Sequence, residues 1–351
     1  MNFDYDVAII GSGFGGSISA LRLTQKGYRV LVIEAGARFA DQDFAKNSFD
    51  LKRFLFFPRL GMLGIQRIDF LKNVLVMSGA GVGGGSLVYA NTLYRPPVEF
   101  YKTGSWVGLE DWEKVLAPHY AEAERMLGVA KNPFFSPADL MLKRSADRLG
   151  FGDSFQMAPL GITFANEGQT PGESVGDPYF NGLGPDRKSC INCGECMTGC
   201  RHGAKNTLVK NYLYLAEQAT DGKPAAQVWP LTKVLEIRDL PEGGFELPLA
   251  KVAKGGRGGT IRVPQVIVAA GALGSAKLLQ KSRAAGYLGG MSDKLGELSR
   301  TNSESLLGVV ARGKDVDYSQ GAAITSSIFP SPDTHIEPVR YGKGSNFMAL
   351  M

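Results

Sequence analysis

Val7-Ala8-Ile9-Ile10-Gly11-Ser12-Gly13-Phe14-Gly15-Gly16 is an apolar strand running straight into a Gly-x-Gly-x-x-Gly turn. In such a turn Gly11 permits the tight bend and Gly13 lets backbone approach a pyrophosphate. Gly16 lets the following helix, residues 17–26, lie close on the strand with its N-terminal amides toward the phosphates. The same turn also occurs without a ligand, so its context decides. A second strand at 29–33 ends on Glu34, at about the ~20-residue spacing of a ribose-binding carboxylate.

Further along, Gly79, Gly81, Gly83, Gly84 and Gly85 fall within seven positions. Glycine loses the most entropy on ordering, so such a cluster marks either a flexible linker or backbone pressed against a ligand. Apolar flanks, Val74-Leu75-Val76-Met77 and Leu87-Val88-Tyr89, favour the ligand. The opening pattern returns at Val266-Ile267-Val268-Ala269-Ala270-Gly271-Ala272-Leu273-Gly274-Ser275, an apolar strand meeting small residues and then a helix. It reads as a strand of the same sheet coming back to one cofactor cleft.

Length and composition bound the rest. A chain of 351 residues, 44% hydrophobic and 21% charged, has the makeup of a globular protein with room for two cores. The net charge of +5 is modest and no basic run dominates, which argues against nucleic acid as a partner. Acids at Asp4 and Asp6 stand where a secretory signal would be basic, and no apolar run reaches the roughly 18 residues of a membrane span. The expectation is a soluble, cytoplasmic protein. The stretch 37–76, rich in Phe, Leu, Arg and Lys, reads as a loop packed over the cofactor. Helices are expected over 106–128 and from 206 to about 221, and a strand over 228–237. Strands at 243–249 and 260–263 form a hairpin around Gly255-Gly256-Arg257-Gly258-Gly259. Residues 129–189, punctuated by prolines, read as loop-dominated, and further strands are expected at 305–311, 322–328 and 335–340, before an apolar tail at 347–351.

All four cysteines fall in one run, Cys190-x2-Cys193-x2-Cys196-x3-Cys200, the spacing of a bacterial ferredoxin site with Arg201 in place of the usual proline. Lys188, Arg201, Lys205 and Lys210 would offset the charge of thiolates there. In two-cluster ferredoxins the fourth cysteine of such a run serves the other cluster, and no second run is present. An iron–sulfur cluster, a zinc site and reduced structural thiols all remain open readings of Cys190, Cys193, Cys196 and Cys200.

Taken in order, the opening fingerprint, the glycine cluster and the 269–275 turn resemble the glucose–methanol–choline (GMC) oxidoreductases, in particular their cholesterol oxidase branch. The resemblance covers nearly the whole chain. It implies FAD rather than a nicotinamide as cofactor, with Gly11, Gly13, Gly16 and Glu34 at pyrophosphate and ribose. Gly83, Gly84, Gly85 and Ser86 would run along the flavin, Val234 would contact adenine through its backbone, and Ala270 and Gly271 would close on the pyrophosphate. Ala80 and Tyr89 depart from the family's first signature, which usually has a basic residue and Asn or His there. The implied fold is α/β: a Rossmann-like FAD-binding domain over 1–100 and 190–305, and an α+β substrate or cap domain with an antiparallel sheet over 101–189 and 306–351.

The implied activity is hydride transfer from the CH–OH group of an apolar alcohol, a sterol among them, to flavin, with oxygen or another electron acceptor. A flavin plus iron–sulfur electron-transfer module and a flavin-binding fragment without turnover are the alternatives. The family's base is a histidine in a C-terminal motif; His119, His202 and His335 lie outside it. Flavin uptake without competent turnover is therefore expected of this polypeptide.

Overall fold

Four consecutive aliphatics buried on both faces make β1, Val7–Ile10, the central strand of a parallel sheet, the arrangement in which strands read as unbroken apolar runs. The computed structural model describes residues 3–345, apart from 219–221, 254, 301, 303, 310, 312 and 314. After β1 come α1, Phe14–Gln25, and β2, Val30–Ile33, then β3, Gln227–Trp229, β4, Gln265–Val268, and α2, Gly271–Ala284. The sheet order is β3-β2-β1-β4, all parallel, with Val7 opposite both Val30 and Gln265. The return of the 266–268 strand beside β1 is as expected from its sequence. Helix α1 buries Gly16, Ser17, Ala20, Leu21 and Thr24, one face at helical spacing.

The strand expected over 228–237 is two strands. Leu231 adopts a left-handed backbone, φ +50°, which ends β3 and sends Thr232–Val234 into a second, antiparallel sheet with Phe245–Lys251, Arg238–Asp239 and Arg257–Val263. Val234, Ile237, Leu247, Leu249, Ile261 and Val263 of that segment join Ala8, Ile10, Leu31 and Ile33 in one core. Each such fully buried side chain contributes about 1.5–3 kcal/mol. The helix expected from 206 is shorter: a single turn at Leu208–Lys210, a break at Asn211, then Tyr212–Ala216. Its expected end near 221 lies outside the described residues.

Residues 37–76, expected as a loop over the cofactor, form two small hairpins, Phe56–Phe57 with Met62–Leu63 and Gln66–Phe70 with Leu75–Gly79. Phe54 and Ile65 are buried while Phe57, Leu60 and Phe70 are exposed, so this stretch does not bury its aromatics as a set.

Two compact units emerge: Met1–Ala45, Asp50–Leu87 and Leu208–Val310 in the first, Lys46–Phe49, Val88–Thr207 and Ala311–Met351 in the second. Residues 88–100 and 190–207, expected with the nucleotide-binding part, group with the second unit. Backbone bridges Thr92 to Leu160 and Ile162 to Lys205 tie them there.

The second unit holds a helix at Trp112–Met126, capped by Asp111, within the expected 106–128. A further helix at Pro137–Leu149 runs through a region expected to be loop. Ser136 and Asp139 form a capping box around Pro137 at the first helical position, and Gly150 ends the helix with φ +85°. Strands Ser326–Ser331, Thr334–Ile336 and Gln156–Met157 form a three-stranded antiparallel sheet, in line with strands expected near 322–328 and 335–340. The described residues of 305–311 are not in a strand, and residue 310 and the 347–351 tail lie outside the description. Among the described residues no helix is long and apolar enough to cross a membrane.

Asp139 ties this unit together. Fully buried, its carboxylate accepts from Ser136 N at 2.6 Å, Ser136 Oγ at 2.6 Å, and the hydroxyls of Thr325 and Ser326 nearly two hundred residues on. Asp139→Ala should lower stability by about 3 kcal/mol, since several buried donors lose their acceptor at once. Urea unfolding followed by circular dichroism reads this; a loss of under about 1 kcal/mol would show that the donors find other partners.

Candidate functional site

At the C-terminal ends of β1, β2 and β4 three small-residue turns come together. A Cβ on Gly16 would stand 2.0 Å from Gly11 O, so only glycine lets α1 pack there. Gly11 itself has φ +103°, and a Cβ would stand 2.3 Å from Ala269 O. Gly13, at the start of α1, differs: the nearest atom to its would-be Cβ is Gly84 Cα at 4.0 Å. Gly13 has no side chain to cap the helix, and the first turn of α1 carries no acid. Ala270 and Gly271 open α2 in the same way, without a side-chain cap or an acid, and a Cβ on Gly271 would meet nothing within 4 Å. Two helix starts with small residues and no competing carboxylate suit a pyrophosphate.

The second glycine loop presses on the first. A Cβ on Gly84 would stand 2.6 Å from Gly13 Cα, and one on Gly79 2.4 Å from Gly84 O. Gly85 is less constrained, with Phe14 Cε2 3.9 Å from its would-be Cβ. Ser86 is fully buried; its Oγ donates to Gly83 O at 2.7 Å and accepts from Leu208 N at 3.0 Å, so the hydroxyl shapes the loop. Val234 lies in the core with its side chain buried.

Glu34 is held at the end of β2, its Oε2 accepting from Ser12 N at 3.1 Å and Ser12 Oγ at 2.8 Å and its Oε1 from Gly36 N at 2.8 Å. The Ser12 hydroxyl also accepts from Gly83 N at 3.1 Å, linking the acid to the second glycine loop. Ser12 and Gly36 were passed over in the sequence. Gly36 had a signal, standing two residues past the acid, and a Cβ there would come 2.1 Å from Gly81 N.

In the second unit the four cysteines line one small cavity with Glu195, His202 and Lys205. All four are free thiols, Cys196 buried and the others half-buried. Burial pushes the Cys190, Cys193 and Cys196 thiols up, Cys193 to about 12, so they stay protonated at neutral pH. Of the four basic residues expected to balance thiolates, Lys205 reaches the cluster: fully buried, its Nζ donates to Tyr89 O and Cys196 O, both at 2.8 Å, and stands 4.8 Å from the Tyr89 ring centre. Lys210 instead pairs with Asp41 at 2.7 Å. The cavity holds about 20 Å³, room for about one water-sized occupant. His335 lies stacked on Phe329 at 4.4 Å between ring centres and edge-on to Tyr94 at 4.8 Å; burial lowers its pKa, keeping the imidazole neutral.

Residues 9–51 match the family described as the NAD(P)-binding Rossmann-like domain. Over its whole length the chain is 54% identical to a cholesterol oxidase of Mycobacterium tuberculosis (strain ATCC 25618 / H37Rv), covering 61% of it, and 46% identical to a cholesterol oxidase of Acinetobacter baumannii, covering 63%. It spans about three-fifths of the length of the curated relatives it matches. Among solved structures, an FAD-dependent oxidoreductase from Chaetomium thermophilum matches with a TM-score of 0.50 at 19% identity, over 79% of this chain and 47% of that one, a likeness of fold. The Rossmann-like sheet with its glycine turns agrees with these relatives, and over its whole length the chain is homologous to part of the cholesterol oxidases. The comparisons support FAD as cofactor and lend none to an iron–sulfur cluster.

Proposed function

We propose that this chain binds FAD in its first unit and is the flavin-holding part of an oxidoreductase that oxidises the CH–OH group of an apolar alcohol, a sterol being the favoured substrate and oxygen the favoured acceptor. The observation that carries the reading is the meeting of the 11–16, 79–86 and 269–271 turns with Glu34 around one sheet end. A nicotinamide site of the simple Rossmann kind needs only the first turn and the acid.

Gly11, Gly13, Gly16, Ala270 and Gly271 would hold the pyrophosphate, and Glu34, fixed by Ser12 and Gly36, the ribose. Gly83, Gly84, Gly85 and Ser86 would pass along the ring system, and the backbone of Val234 would meet adenine. When bound, flavin supplies the electron sink for hydride transfer. The chain's part is placement: rigid backbone turns that fix the cofactor and, by close packing of loop on loop, keep water from it. No histidine is assigned as base, since His335 is held between aromatic rings, His202 faces Glu195, and His119 lies inside the 112–126 helix.

Purified chain reconstituted with FAD should be yellow at one flavin per chain, and anaerobic mixing with sterols and simple alcohols should bleach it slowly, because general-base catalysis typically contributes about 10²–10⁴-fold. Folded protein that stays colourless and takes up NADH would sink the flavin reading. Rapid bleaching by one alcohol, abolished in His335→Gln, would instead make His335 the base.

A further inference from the structure

Cys193, Glu195 and His202 each offer one ligand atom, and those atoms all lie within 4.8 Å of one another at the cavity the four cysteines line. We propose that these three residues form a mononuclear Zn²⁺ site, with its fourth position open to the cavity. The site is independent of the flavin reading.

The donor set is a thiol, a carboxylate and an imidazole, the combination that suits zinc. Tetrahedral zinc with bonds of about 2.0–2.3 Å sets its ligand atoms roughly 3.5 Å apart. His202 Nε2 and Glu195 Oε2 already stand 3.5 Å apart, and because all three ligand atoms lie within 4.8 Å of one another no pair has to close by more than roughly 1.3 Å to meet that spacing. The segment carrying two of the ligands is built rigidly. Gly194 between them has φ +74°, and a Cβ there would stand 2.4 Å from Ser319 O. A Cβ on Gly342 would stand 2.6 Å from Glu195 Cγ and 2.7 Å from Cys193 O. Gly321 N donates to Asn192 O at 2.8 Å, and Thr198 Oγ1 donates to Glu195 O at 3.0 Å. The Glu195 amide also donates to the Cys193 thiol, the kind of backbone support that steadies a sulfur ligand.

The cavity admits about one water-sized occupant, which fits a single ion with one further thiol from Cys190, Cys196 or Cys200 in the fourth position. Zinc binding replaces the Cys193 proton, which is released to solvent, and no electron is transferred. Cys-x2-Cys-x2-Cys spacing drew attention to sulfur alone; Glu195 and His202 enter because the turn through Gly194 brings them to the first sulfur.

The full chain, stripped with a chelator under reducing conditions, is titrated with Co²⁺ and then with Zn²⁺. One equivalent of cobalt should give the visible bands of a tetrahedral site and a thiolate-to-cobalt charge-transfer band, all displaced by zinc. Cys193→Ser and His202→Gln should each weaken zinc binding at least about tenfold, while His119→Gln leaves it unchanged. If Cys193→Ser fails to fold, Glu195→Gln, half-exposed and nearly isosteric, makes the same comparison. The proposal is overturned if the wild type binds no cobalt, if the ligand variants bind as well as the wild type, or if protein purified without oxygen carries equal iron and acid-labile sulfide. Flavin absorbance followed in the same samples reports the first unit separately.

Discussion

Gly13→Ala should yield a folded protein that has lost about a hundredfold in FAD affinity, close to 3 kcal/mol. The methyl group has room in the protein, 4.0 Å from Gly84 Cα, and the backbone at φ −70° and ψ −166° suits any residue. The space it fills lies at the start of α1, where pyrophosphate oxygens would meet the helix amides. Gly16→Ala is the contrasting case. Its methyl would stand 2.0 Å from Gly11 O, between a strand turn and a helix that cannot part without breaking the core beneath them. That variant should fail to fold, or melt far below the wild type. Flavin fluorescence titration and thermal melting, run on both, separate the outcomes; Gly13→Ala binding FAD as tightly as the wild type would remove the pyrophosphate from this turn.

Lys205 should govern stability in the second unit. Lys205→Ala at neutral pH leaves Tyr89 O and Cys196 O without their donor and opens a cavity under the Tyr89 ring, a loss of about 3 kcal/mol. Lys205→Met, which keeps the length, isolates the charge. Burial lowers the lysine from 10.5 to about 8. Between those values the unfolded chain holds a proton that the folded chain has shed, so stability rises with pH across the window. The titratable groups facing the lysine, the Cys196 and Cys200 thiols, are common to wild type and variant. Wild-type stability measured against Lys205→Met should therefore improve by about 3 kcal/mol from pH 8 to 10.5. A flat difference across that range would mean the ammonium is better solvated than its burial implies.

What the sequence disclosed was mostly local. The first strand, turn, helix and second strand follow within thirty residues, each specified by its neighbours, and β4 betrayed itself by repeating the same strand-to-small-residue pattern. The Pro137–Leu149 helix was missed although Ser136, Pro137 and Asp139 spell a start signal, because prolines on both sides made the region read as loop. The break at Leu231 had one local sign, Pro230 inside the expected strand, but the left-handed leucine itself is held by the two sheets it joins, not by its own preference. Likewise the partners of Asp139, Thr325 and Ser326, could not be read from positions 186 and 187 residues away. At the candidate sites, the glycines were legible because their spacing follows a phosphate-binding pattern, whereas the places of Ser12, Glu195 and His202 depend on turns whose geometry is set by packing.

The place of β1 between β2 and β4 also sets a clock on biosynthesis. Val7 finds Val30 soon after leaving the ribosome, but its other neighbour, Gln265, is 258 residues later. At about 5–20 residues per second that interval is roughly 13–50 s. Throughout it one side of a four-residue aliphatic strand carries open backbone donors and acceptors, the template on which chains pair with the wrong partner. Yield in a cell should then depend on the pace of translation and on whatever shields the nascent strand, more than on the stability of the finished sheet.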